Sequence, residues 1–195
     1  MSTRELLLDQ AELLFARSSV AGVTTREITE AADQKNTSAI SYHFGSRDGL
    51  VLALLARRGG PVDKERGILR DLLPSSASPS ELVGCLVKPY CALLSSPQGR
   101  AYVRIVAQLR GRFAAWRIES DSETTKHLAR ILDEIEVQAG NSESNRRERV
   151  VGLIILMTGA AAERSRRIEE GDELLSTEAE FEKNLIQMCA AVVQS

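Results

Sequence analysis

The residues of this chain best equipped for chemistry are polar groups crowded into one short stretch. From Val23 to Leu50 the sequence reads VTTREITEAADQKNTSAISYHFGSRDGL. Within it Thr25, Arg26, Thr37, Ser38, Ser41, Tyr42, His43 and Arg47 supply hydroxyls, two guanidinium groups, a phenol and an imidazole. Their types suit recognition. An arginine fork can meet a guanine edge or a phosphate, and hydroxyls and phenols donate to phosphate oxygens. Small side chains such as Ser38, Ala39 and Ser41 permit close approach to a groove but specify weakly. Arg47 and the amides around Ser46 open a helix, a position that suits a phosphate.

Local signals say which elements position these groups. Thr24 and Glu27 have capping-box spacing, and Val23 and Ile28 have the spacing of a hydrophobic staple, so a helix starts there. Ile28, Ala31 and Ala32 share one face at helical period. Asp33 to Asn36 is polar and interrupts the pattern. Asn36 or Thr37 can cap a second helix that buries Ile40 and Phe44. Gly45 ends it and Ser46 caps the next. Two short helices joined by a tight turn, the second too polar to be wholly buried, form the helix-turn-helix pattern of DNA binders.

TTREITEAA followed by SAISYHFGSRDGL resembles the N-terminal domain of TetR-family transcriptional regulators. The resemblance covers about the first 60 residues, and the remainder is similar only in length and helical character. It implies an all-α fold, with a helix-turn-helix DNA-binding domain over residues 1–60. A helical effector-binding and dimerisation domain follows over residues 61–195. Two departures stand out. The connection Asp33 to Asn36 is one residue longer than the commonest spacing, with Asp33 where glycine is frequent. Ser41 occupies the usual tyrosine position and Tyr42 follows it. The expectation is that Tyr42 takes the phosphate contact and leaves Ser41 near the base edges.

The chain has 195 residues, 43% of them hydrophobic, and a formal net charge of −2. That length fits one or two domains with a real core. The charge does not advertise nucleic acid: seven basic and seven acidic residues from Met1 to Gly60 balance to zero. Any basic patch must come from their distribution in space. Cys85, Cys91 and Cys189 show no CxxC spacing and read as buried, reduced thiols. With no apolar signal core at the N-terminus, the expected location is cytoplasmic, with no membrane partner. The longest apolar stretch, Val150 to Ala162, is short of the roughly 20 residues that span a bilayer.

In chain order, Ser2 and Glu5 have capping-box spacing before a first helix to about Arg17. A fourth helix is expected from Arg47 to about Arg58, stopped by Gly59-Gly60-Pro61, which sets the domain boundary. A short helix from Val62 to Leu73 and a Pro/Ser linker follow. Further helices are expected over Ser80–Leu94 with a kink at Pro89, from Pro97 to about Arg117, and from a cap at Ser120–Ser122 to Ala139. The last two, about Asn145–Glu170 and Thr177–Gln194, carry a shared apolar face. Val151, Ile155, Thr158, Ala162, Phe181, Leu185, Met188, Cys189 and Val192 are the expected dimer residues of a symmetric four-helix interface. An ordinary intramolecular core is the competing account of that face.

Each polar site also has a plainer account. Arg26 can pair with Glu30 at spacing four, Arg47 can be a surface residue, and His43 can pack. Nothing indicates catalysis, a cofactor or a metal site. Tyr90, Tyr102, Phe113, Trp116 and Met157 are the larger groups that could line an effector pocket, which only the family resemblance implies. Core packing is the simpler role for each one singly. The resulting expectation is a homodimeric, ligand-responsive repressor on a pseudo-palindromic double-stranded DNA operator, released by a small-molecule effector. The competing class is an α-helical enzyme or protein-interaction module whose first helices only resemble the motif.

Overall fold

A computed structural model describes residues 2–36, 38–109, 125–139 and 142–194. The described residues form helices and no strand: α1 Thr3–Arg17, α2 Thr25–Ala31, α3 Ala39–Phe44, α4 Arg47–Asp71 and α5 Pro79–Ala92. A 3₁₀ turn, Leu93–Ser95, leads to α6 Pro97–Leu109. Then come α7 Lys126–Gln138, α8 Glu143–Glu170 and α9 Glu178–Gln194. The all-α expectation holds. The cap expected at Ser120–Ser122, and the continuation of the helix after Pro97 as far as Arg117, lie outside the described residues.

Helix α1 starts on half a capping box. Ser2 Oγ accepts the Glu5 amide at 3.3 Å. The Glu5 carboxylate turns instead to Arg4 and Arg57. Leu7, Leu8, Ala11 and Phe15 are buried on α1, which lies against α2, α4 and α6. Buried Glu12 locks α1 to α4, accepting from Arg57 Nη2 at 2.7 Å and Arg58 Nε at 2.8 Å. Asp9 adds a 2.7 Å bond from Arg57.

Helix α4 corrects the expected stop at Gly59-Gly60-Pro61. It runs unbroken through Pro61, so the segment after Val62 is its second half and not a separate helix. Val62, Asp63, Arg66, Gly67 and Arg70 are buried along that half, and tertiary contact carries the helix past its local breakers. Gly59 is there for packing: a β-carbon would lie 2.7 Å from Tyr102 Oη. At Gly67 a β-carbon would likewise lie 2.5 Å from His127 Nδ1.

The second half of α4 organises α7. Asp63 accepts the amides of His127 at 2.9 Å and Leu128 at 2.7 Å, capping α7 from a different helix. Thr125, at the local cap position, makes no side-chain capping bond. Arg70 pairs with Glu134 at 2.7 Å, and Arg130 with Asp71 at 2.9 Å. Helix α5 begins on a full Ser78–Glu81 capping box and passes through Pro89 without ending. Helix α9 lies against α5 and α8, and α6 lies against α8 and α1. No helix of the described residues is long and apolar enough to cross a membrane.

Candidate nucleic-acid interface

The first helix of the motif is built as its sequence requires. Thr24 Oγ1 accepts the Glu27 amide at 3.2 Å, and Glu27 Oε2 accepts the Thr24 amide at 2.7 Å. The Thr24 amide and hydroxyl hold the Glu27 carboxyl below its ordinary value. Val23 and Ile28 are both buried, as a staple demands. The helix ends in a Schellman motif. The Asp33 amide reaches Glu30 O at 3.0 Å and the Gln34 amide reaches Thr29 O at 2.9 Å. That motif needs a left-handed residue, and Asp33 supplies it at φ 52°. The place where the family often has glycine is therefore a left-handed turn here too, filled by a residue that tolerates it.

Between the helices, Asn36 Oδ1 accepts the Ser38 amide at 2.9 Å. Helix α3 then starts at Ala39, with Ser38 at its cap position making no side-chain bond. Thr37 lies outside the described residues. Ala39 and Ile40 are buried and Phe44 is half-buried, anchoring α3 by one face. Ser38, Ser41 and Tyr42 are exposed on the other, and Tyr42 is 84% exposed. The half-buried His43 ring stands edge-on to Tyr42, centroids 4.9 Å apart. Gly45 takes φ 75° to turn the chain into α4, whose first turn Ser46 caps by accepting the Gly49 amide at 3.0 Å.

The two arginines face opposite ways. Arg26 is exposed on α2 beside half-buried Thr25, and pairs with Glu30 at 2.7 Å. Such a surface pair contributes little, so a phosphate can displace it. Arg47 points into the domain. Its Nη2 donates to the Val20 carbonyl and to the Val23 carbonyl, the latter at 2.9 Å, and its guanidinium lies 5.5 Å from the Phe15 ring centre. In this arrangement its fork is committed to backbone groups of the α1–α2 connection.

Two further exposed cations, Arg4 and Lys35, lie in the same N-terminal segment and were not among the expected site residues. Arg4 lies over the Phe44 ring at 5.1 Å. The even charge count concealed them. Glu5, Asp9 and Glu12 are gathered onto Arg57 and Arg58 at the α1–α4 seam.

The other expected sites separate in a similar way. Tyr90, Tyr102 and Met157 are buried, and Phe113 and Trp116 lie outside the described residues. Burial raises the Tyr102 phenol to about 12. On the last two helices, Val151, Ile155 and Met188 are about half exposed. Ala162, Phe181 and Val192 are half-buried. Thr158, Leu185 and Cys189 are buried within the protomer, so they belong to its core and not to a free face. Their side of the pair is covered because α9 packs on both α5 and α8. All three cysteines are free, and burial raises Cys91 to about 12 and Cys189 to about 11.

Fold and site together define an all-helical protein with an N-terminal helix-turn-helix and a larger helical body. Residues 7–54 match the family model described as bacterial regulatory proteins, tetR family. A search of curated proteins gave no match. Among solved structures, the chain is similar over 98% of its length to 97% of a TetR-family transcription regulator from Shewanella sp. PV-4, at TM-score 0.65 and 12% identity. It is similar over 99% of its length to 97% of a tetR-family regulatory protein from Rhodococcus RHA1, at TM-score 0.60 and 16% identity. A TetR transcriptional regulator from Legionella pneumophila aligns over 99% of this chain and 98% of its own, at TM-score 0.56 and 17% identity. The N-terminal segment belongs to the TetR family, and the chain as a whole has the TetR-regulator fold.

Proposed function

We propose that the protein is a ligand-responsive repressor that binds a pseudo-palindromic operator as a homodimer. Residues 1–60 form the DNA-binding part and residues 61–195 the effector-binding and dimerisation part. The observation that carries this is α3, held by Ala39 and Ile40 while Ser38, Ser41 and Tyr42 stand in solvent. Such a helix is fixed in direction and open on its polar face, as entry into a major groove requires. Arg26, Thr25 and His43 flank it. Val151, Ile155 and Met188 offer an apolar face for a second copy, and a two-fold pair would present two motifs to successive grooves. Ligand-driven change in motif separation weakens both half-site contacts together.

The test is binding of the full-length protein to duplexes from the DNA flanking its coding sequence, over a salt series. A repressor of this kind selects an inverted repeat there and loses affinity steeply with salt. Weak, salt-insensitive binding without preference would overturn the reading.

A further inference from the structure

The second half of α4 buries a cation that no hydrogen bond holds among the described residues. Arg66 is 7% exposed, and its Nε is buried without a hydrogen-bond partner. Among the described residues its ion-pair partner is Asp63, at 3.9 Å, beyond hydrogen-bond reach. Asp63 is already engaged: its two oxygens accept the His127 and Leu128 amides at the N-terminus of α7. The positive end of the α7 dipole thus shares the Asp63 charge and leaves the guanidinium weakly paired. One turn along, His127 Nδ1 is also buried without a partner, against Gly67. Tyr102 reaches the same face of α4 at Gly59. Burial pulls the Arg66 guanidinium below its ordinary value, while Tyr102, Asp63 and Tyr90 act electrostatically in the other direction. A buried charge of this kind is retained at a cost to stability, and functional sites are where such costs concentrate.

We propose that Arg66 is the anchor of an oxyanion site, and that the effector is a small organic acid whose carboxylate docks on Arg66 beside Tyr102 and His127. The inference rests on the ligand-responsive reading above and names the chemical class of the ligand. A planar carboxylate matches the guanidinium fork, and the phenol and imidazole of Tyr102 and His127 provide further polar groups around it. Because the same face of α4 caps α7 through Asp63, occupancy acts on the helix that begins at the DNA-binding motif.

The test uses the full chain. Sodium benzoate, sodium acetate and inorganic phosphate are each compared with sodium chloride at equal ionic strength, and benzamide is the uncharged counterpart of benzoate. At least one oxyanion should raise the melting temperature saturably, by on the order of 5–10 °C at 100 times its dissociation constant, and benzamide should not. Arg66→Met should abolish the shift, and Arg66→Lys, should the first variant not fold, should weaken the midpoint at least tenfold. Identical melting in chloride and all three probes, or an equal shift in the Arg66 variants, overturns the site. Duplex binding in parallel separates the two readings. A melting shift without release of DNA removes the effector role. A shift in a protein that binds no duplex refutes the DNA reading and leaves the oxyanion site standing.

Discussion

Gln108 on α6 accepts the Val20 amide at 2.7 Å and donates to the Phe15 carbonyl at 3.2 Å, tying α6 to the end of α1. Arg47, at the start of α4, takes the Val20 carbonyl from the other side. The single peptide segment between α1 and α2 is thereby held from both α4 and α6. Gln108→Ala removes two bonds and leaves the amide of buried Val20 unpaired. Urea unfolding should show a loss of about 1–3 kcal/mol, the penalty for stranding a buried donor. An unchanged midpoint would mean that water replaces the side chain and that α6 is not coupled to the motif through this residue.

The opposed orientations of Arg26 and Arg47 give them different signatures. Arg26→Ala should leave the unfolding midpoint unchanged, since its partner Glu30 is a surface group. It should flatten the salt slope of duplex binding by about 0.9. Arg47→Ala should lower stability by about 1–3 kcal/mol, because the Val20 and Val23 carbonyls lose their donor. A salt slope measured on its folded fraction should hardly move. A slope that falls by a full unit in Arg47→Ala, with unfolding unchanged, would show that the guanidinium swings out to a phosphate on binding.

Tyr42 is the most solvent-open large side chain of α3, so its hydroxyl has no folding role to lose. Tyr42→Phe should leave thermal unfolding unchanged and weaken cognate and non-cognate duplexes alike by about 0.5–1.5 kcal/mol, the value of one hydrogen bond. A change in which base pairs are preferred would place the phenol in the groove instead of on the backbone.

The parts of this architecture legible from sequence are those caused by near neighbours. The Thr24–Glu27 box, the Val23–Ile28 staple and the Gly45–Ser46 punctuation each act within a few residues, and each appears where expected. Features whose causes are distant leave little or no mark in the local sequence. Gly59-Gly60-Pro61 carries every local mark of a stop, but Gly59 is required by Tyr102 from another helix. Leu185 and Cys189 lie on the same apolar stripe as Met188, and only the presence of α5 behind α9 decides that two of them face inward. Arg47 reads locally as a helix-terminal phosphate contact, and nothing in its own segment reveals the carbonyls of Val20 and Val23 that its guanidinium meets. The Asp63 cap on α7 joins residues far apart in sequence and leaves no local trace.

The free part of that stripe makes the dimer testable. Met188 on α9 is 45% exposed in the protomer, as open as Val151 and Ile155 on α8. Met188→Glu would set like charges across a two-fold axis and bury them on association, costing several kcal/mol of dimer stability. Sedimentation should show monomer, and operator binding should fall with it. The single chain should stay folded, because a half-exposed position tolerates charge. A variant that remains dimeric would move the interface off α8 and α9.

The unbroken α4 has its own test in the approach of Gly59 to Tyr102. A β-carbon at residue 59 would sit 2.7 Å from Tyr102 Oη, well inside contact distance. Two effects then compete in Gly59→Ala. Helix propensity favours alanine by about 1 kcal/mol. Overpacking against a phenol on a buried ring opposes it by about 1–3 kcal/mol. The single variant should therefore be neutral to destabilised by about 2 kcal/mol in urea unfolding. Tyr102→Phe removes the one atom that clashes. In the double variant, Gly59→Ala with Tyr102→Phe, the propensity gain should reappear, so alanine at 59 becomes favourable by up to about 1 kcal/mol in that background. The coupling across the cycle should fall between about 0.5 and 3 kcal/mol, as for residues in contact. If Gly59→Ala is as stabilising with Tyr102 present as without it, the helix has room at that point. The glycine would then need another explanation than the ring above it.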